Sequence, residues 1–115
     1  MTQECIFCKI SAKEIAVPII YEDEQIIAFP DIKPGAPVHV LVITKKHIAN
    51  LLELATDDIP LMGHVLATIP KIATQLGLAE DGFRLVVNTK DNGGQTVHHL
   101  HWHILGGRFM TWPPG

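Results

Sequence analysis

The run Val97-His98-His99-Leu100-His101-Trp102-His103-Ile104-Leu105 constrains this chain more than any other segment. It predicts a strand from Val97 to Leu105. In a strand, side chains at i, i+2 and i+4 share a face. His99, His101 and His103 then form a row of imidazoles, each about 6.5–7 Å from the next. Leu100, Trp102 and Ile104 face the other way, into a core. A row of imidazoles exceeds what packing requires. It points to a metal or an anionic substrate, with histidine as base, nucleophile or ligand. His98 falls on the Leu100 and Trp102 face and reads as structural.

At 115 residues the chain is expected to be one domain spanning 1–115. Apolar residues make up 47%, which suits a compact unit or a subunit that hides more surface by pairing. The formal charge of −3 provides no basic field for a nucleic-acid backbone, so no nucleic-acid partner is expected. No apolar run nears the length of a membrane span, and no membrane partner is expected. Met1-Thr2-Gln3-Glu4-Cys5 lacks the basic and apolar regions of a signal peptide, which predicts a cytoplasmic protein. Cys5 and Cys8 form a C-x-x-C pair, which in a reducing compartment suggests zinc or redox chemistry. Zinc would need two more ligands.

The hydrophobic pattern predicts helix, three strands, helix, two strands. Residues 6–14 read as a short amphipathic helix broken by Pro18. Residues 19–21 and 25–29 read as short strands around Glu22-Asp23-Glu24. Pro34-Gly35-Ala36-Pro37 is a rigid connector. Residues 38–43 are β-branched and alternate, with His39, Leu41 and Ile43 on one face and Val38, Val40 and Val42 on the other. Asp57-Asp58 is expected to cap a helix over 58–76, with Pro60 in its first turn, a kink at Pro70 and a stop at Gly77. Met62 and His64 on this helix read as packing and surface residues. Residues 83–88 and 97–105 are the last strands, joined by a loop over 89–96. This order predicts an α+β fold, an antiparallel sheet with its helices grouped on one side.

The loop before the histidines adds chemistry. Asn92-Gly93-Gly94 supplies backbone amides able to form an anion-binding concavity, and also reads as a plain hairpin turn. Gln95 and Thr96 follow as neutral donors. A phosphate lying across His101 and His103 would meet imidazoles on one side and amides on the other. This arrangement suits phosphoryl or nucleotidyl transfer, with charge stabilised by fixed donors. A neutral imidazole is available as nucleophile near pH 7 if its other nitrogen is held, and a neighbouring backbone carbonyl would serve. His39 would complete a fourth imidazole.

The segment His99-Leu100-His101-Trp102-His103-Ile104-Leu105 resembles the signature of the histidine triad (HIT) nucleotide-binding proteins. Asp91-Asn92-Gly93-Gly94-Gln95-Thr96, Gly106-Gly107-Arg108, the tail Met110-Thr111-Trp112-Pro113-Pro114-Gly115 and the segment from Ala28 to His39 resemble its Hint branch. The resemblance implies a five-stranded antiparallel sheet with two helices, and a homodimer with a continuous ten-stranded sheet. It implies a hydrolase that cleaves the P–N bond of adenosine 5′-phosphoramidates through a nucleotidyl-histidine and releases AMP. His101 would be the nucleophile and His103 a phosphate contact. His99 and His39 would complete the site, and Thr96 would help protonate the leaving amine. Asp31 would hold ribose hydroxyls. Phe29 and Ile32, with Ile10 and Leu41, would wall the purine pocket. Asn88, Gly94 and Gln95 would contact the phosphate, and Trp112 would reach the partner's site.

Cys5 and Cys8 resemble bacterial members that bind zinc through two cysteines and two histidines, here with His47 and His99. Pro30, His98 and Trp102 depart from the branch's usual residues and bear on pocket shape. Two other readings remain: a zinc-stabilised nucleotide-binding regulatory module with little turnover, and a metal-handling protein using the imidazole row.

Overall fold

Apolar runs, alternating in β3 and continuous in β2, build a sheet of β1 (Tyr21–Glu22), β2 (Ile26–Pro30), β3 (Val38–Thr44), β4 (Phe83–Val86) and β5 (His101–Gly106). The computed structural model describes residues 5–115. The five strands run in the order β1-β2-β3-β5-β4, and every neighbouring pair is antiparallel. Helix α1 (Ile6–Ser11) precedes the sheet, and α2 (Ile59–Gln75) is inserted between β3 and β4. The fold is α+β, as the pattern predicts.

The period of two assigns each strand residue to a face. Ile26, Ala28, Val40, Val42, Trp102 and Ile104 pack with Leu61, Val65, Ile69, Ile72 and Ala73 of α2. Ile27, Phe29, Leu41 and Ile43 pack instead with Phe7 and Ile10 of α1. The helices therefore lie on opposite faces, not grouped on one side as expected. The reason lies in β2, where Ile26, Ile27, Ala28 and Phe29 are all buried, so both its faces require cover. Helix α1 has only six residues and cannot cover the whole second face. The part it leaves open carries His39 and His103.

Several boundaries differ from the sequence expectation for local reasons. Helix α1 stops at Ser11 because Lys13 takes a left-handed conformation, φ 64°. Asp58 does not cap α2 with its side chain; its carboxylate accepts from the Ala55 amide (2.9 Å) and from Lys46 (2.5 Å). Helix α2 runs through Pro70 to Gln75 without ending. Pro70 and Leu66 are both exposed, so the carbonyl that loses its partner is open to water. Gly77, at φ 78°, ends the helix as expected, with the Leu78 amide reaching back to the Ala73 carbonyl.

The largest correction is to the histidine run. Strand β5 starts at His101, not Val97, and residues 97–99 are bends. The Leu100 amide donates to the Ile48 carbonyl at 2.6 Å, so this stretch joins the chain following β3. His98 is consequently exposed rather than set into the core. Trp102 is 5% exposed and lies on the α2 side, so its bulk fills the core and not the histidine face. Among the described residues, no helix is long and apolar enough to cross a membrane.

Candidate active site and metal centre

Register brings the site together. His39 pairs with Leu105, Leu41 with His103, and Ile43 with His101, so these six side chains share the α1 face. His101 and His103 have ring centroids 5.0 Å apart, and His39 and His103 5.2 Å. His99 lies before the strand, yet it turns to the same face. The edge of Phe7 meets both His99 (5.8 Å) and His101 (5.1 Å).

The hydrogen bonds assign the protons. Nδ1 of His101 lies 2.6 Å from the His99 carbonyl. A carbonyl only accepts, so Nδ1 carries the proton and Nε2 carries the lone pair. Burial lowers the pKa of His101, opposed by this carbonyl and by the charge of Asp31. Burial also pulls His103 down, reinforced by His101 and His39, to about 4. Both shifts favour the neutral imidazole at pH 7. Nε2 of His39 sits 2.9 Å from Nδ1 of His103 and 3.4 Å from the Asp31 carboxylate.

The other expected residues divide into two groups. Phe29 and Leu41 of the sheet are buried against Ile10 of α1, while Ile32 is 90% exposed beside Asp31. Asn88 donates to the Gly93 carbonyl at 2.6 Å, and Thr96 is exposed. Gly94 and Gln95 do not present the donors expected of them. The Gly94 amide donates to Asp91 and the Gln95 amide to Lys90. The Gln95 side chain bonds Ala49, Val97 and Lys90 and is 6% exposed. These two residues hold the loop, because a buried amide must satisfy its own polar atoms first. Trp112 is 82% exposed in the single chain.

Among the described residues, two clusters place metal-ligating groups together: Cys5, Cys8, His47 and His99, and separately Asp31, His39 and His103. In the first, Nδ1 of His99 lies 3.3 Å from Cys5 Sγ, 3.6 Å from Cys8 Sγ and 3.2 Å from His47 Nδ1. A tetrahedron built on zinc's usual bond lengths has edges of about 3.3–3.8 Å. Nε2 of His99 lies 2.6 Å from the Thr44 carbonyl, so it carries the proton and leaves Nδ1 free to ligate. Burial holds His99 neutral, its pKa about 4. Two thiols and two imidazoles suit a divalent metal of zinc's kind. The second cluster fits less well. The Gly35 amide donates to Nδ1 of His39 (2.8 Å), which leaves the proton on Nε2, the atom nearest the other two ligands.

Sequence reasoning missed three contributors. Phe7 had a signal, since it sits between the two cysteines. The Thr44 carbonyl and the Gly35 amide had none, because backbone atoms carry no residue signature. Also missed was a structural link in which Asp23 accepts from Tyr21 (2.8 Å), from His64 (2.6 Å) and from the amides of Gln25 and Ile26.

A neutral histidine with a free Nε2, a second imidazole beside it and a carboxylate nearby lie together on one face of the antiparallel sheet. The HIT domain family model matches residues 12–110, and the chain belongs to this family. It is 54% identical over 115 residues, the full length of both chains, to an uncharacterized HIT-like protein of Synechococcus elongatus. It is 48% identical over 102 residues to protein HitA of Neisseria gonorrhoeae, covering 89% of this chain and 94% of that one. Among solved structures, a HIT family hydrolase from Legionella pneumophila superposes with a TM-score of 0.95 at 50% identity, covering 97% of this chain and 100% of the other.

Proposed function

We propose that this protein is a nucleotide hydrolase that cleaves the P–N bond of adenosine 5′-phosphoramidates and releases AMP. The observation that carries the reading is the His101 ring, with Nδ1–H on the His99 carbonyl and a lone pair on Nε2. Nε2 attacks the α-phosphorus, the P–N bond breaks, and the amine leaves with a proton supplied through Thr96 or solvent. Water then attacks the nucleotidyl-histidine, the new P–N bond breaks, and AMP and free His101 result. His103 hydrogen-bonds a non-bridging oxygen, and Asp31 accepts from the ribose hydroxyls. Phe29, Leu41, Ile10 and Ile32 bound the purine.

Zinc is the metal that the Cys5, Cys8, His47 and His99 donor set fits. Held there, it would supply no chemistry to the substrate, since all four ligands come from protein. The residues themselves tie α1 to the stretch that carries His99. The edge of β4, unpaired among the described residues and with Phe83 (39%) and Leu85 (37%) exposed, supports a homodimer that continues the sheet.

The test is incubation with adenosine 5′-phosphoramidate, with and without chelator, followed by acid quench and mass spectrometry. AMP release and one adenylyl group on His101 are expected. His101→Ala should keep AMP binding and lose turnover by several orders of magnitude. Full activity in that variant would refute the assignment. A second reading is a nucleotide-binding regulatory module with little turnover. It is favoured by one observation: His101 is only 5% exposed. Saturable AMP binding without release would support it.

A further inference from the structure

The connector from Pro34 to Pro37 folds back over the first residues of β3. There the Gly35 amide donates to Nδ1 of His39 at 2.8 Å. A backbone N–H only donates, so this Nδ1 carries a lone pair and the neutral ring keeps its proton on Nε2. Nε2 faces two acceptors, His103 Nδ1 at 2.9 Å and the Asp31 carboxylate at 3.4 Å. His103 accepts at Nδ1, and its own proton must then sit on Nε2. The connector is itself held. The Gly35 carbonyl accepts from Arg108 at 3.2 Å, and a Cβ added at Gly107 would lie 2.8 Å from Pro37 Cβ.

We propose that the Gly35 amide is a positioning group that fixes the protons of both His39 and His103 on Nε2, so that His103 presents an N–H, not a lone pair, to substrate. With the opposite tautomers, His103 would turn a lone pair toward an anionic phosphate, which repels it. The same lock denies the Asp31, His39 and His103 cluster to a metal. His39 has no lone pair on Nε2 to give, and a metal is left to the sulfur-containing cluster. The consequence for phosphate rests on the hydrolase reading; the proton positions do not.

The test uses the full chain labelled with 15N and long-range proton–nitrogen correlation spectra at neutral pH. In the unmodified protein both His39 and His103 should show a protonated Nε2 and an unprotonated Nδ1. A proton on Nδ1 of either ring overturns the proposal without any variant. Gly35→Ala keeps the amide, and its Cβ would meet His39 Nδ1 at 3.7 Å, an ordinary contact. Its spectrum should match the parent. Gly35→Pro deletes the donor, so the His39 pattern should become a tautomer mixture and AMP should bind about tenfold more weakly. A folded Gly35→Pro with unchanged His39 and His103 shifts refutes the lock. If that variant does not fold, the parent spectrum decides. Expected tautomers with no AMP release would sink the hydrolase reading and leave this one standing.

Discussion

Acid should weaken this fold in a window set by His103. Its pKa falls from 6.5 to about 4 in the folded protein, through burial first and then through the neighbouring His101 and His39. Between those values the unfolded chain binds a proton that the folded chain refuses. Stability is therefore full above pH 6.5 and is lost as pH falls toward 4. A tenfold difference in proton affinity between the two states corresponds to about 1.4 kcal/mol. The ring is only half-buried, and water screens part of the effect. This one group should then cost about 1 kcal/mol at pH 5.5 and about 2 kcal/mol at pH 4.5. The assay is urea denaturation of the parent and of His103→Gln at pH 7, 5.5 and 4.5. The glutamine does not titrate, so its stability should fall less steeply by about those amounts. Equal pH slopes for the two proteins would show that His103 is not held neutral, and the proton assignment around it would fail.

Other perturbations have equally direct outcomes. Chelator should lower the Tm of the metal-loaded parent by about 5 °C or more and leave Cys8→Ser unmoved, since a metal bound only by the folded state stabilises it; identical responses would remove the case for a metal at Cys5, Cys8, His47 and His99. Gly93→Ala would place a Cβ 2.4 Å from the Thr89 carbonyl oxygen and should cost about 1–3 kcal/mol in thermal or chemical denaturation. Asp23→Asn should cost about 1–3 kcal/mol, and a double-mutant cycle with His64→Ala should give coupling of about 1 kcal/mol. Zero coupling would mean that the 2.6 Å contact between them contributes nothing.

The fold class followed from patterning because one face of each element must leave water. The alternation over 38–43 falls within the observed β3 (Val38–Thr44), and the three- and four-residue spacing over 58–76 contains the observed α2 (Ile59–Gln75). The side on which α1 packs was not readable, since a run such as Ile26-Ile27-Ala28-Phe29 is buried on both faces and shows no period. The composition of the loop over 89–96 suggests free amides. Gly93 serves a close backbone approach to Thr89 and Gly94 a left-handed turn, while the amides of Gly94 and Gln95 are spent on carbonyls of the same loop.

The sequence alone determined which side chains can do chemistry here: the alternating histidines, the paired cysteines and Asp31 are visible as residue types at telling intervals. Only the tertiary structure decided which atom of each is free. His99 contributes through its carbonyl to His101 and through its ring to the cysteine cluster, although it precedes β5, the strand in which the alternation places it. His39 owes its proton position to Gly35, and His99 to Thr44. Those partners are main-chain donors and acceptors, which every residue possesses alike, so nothing in the order of side chains could have announced them.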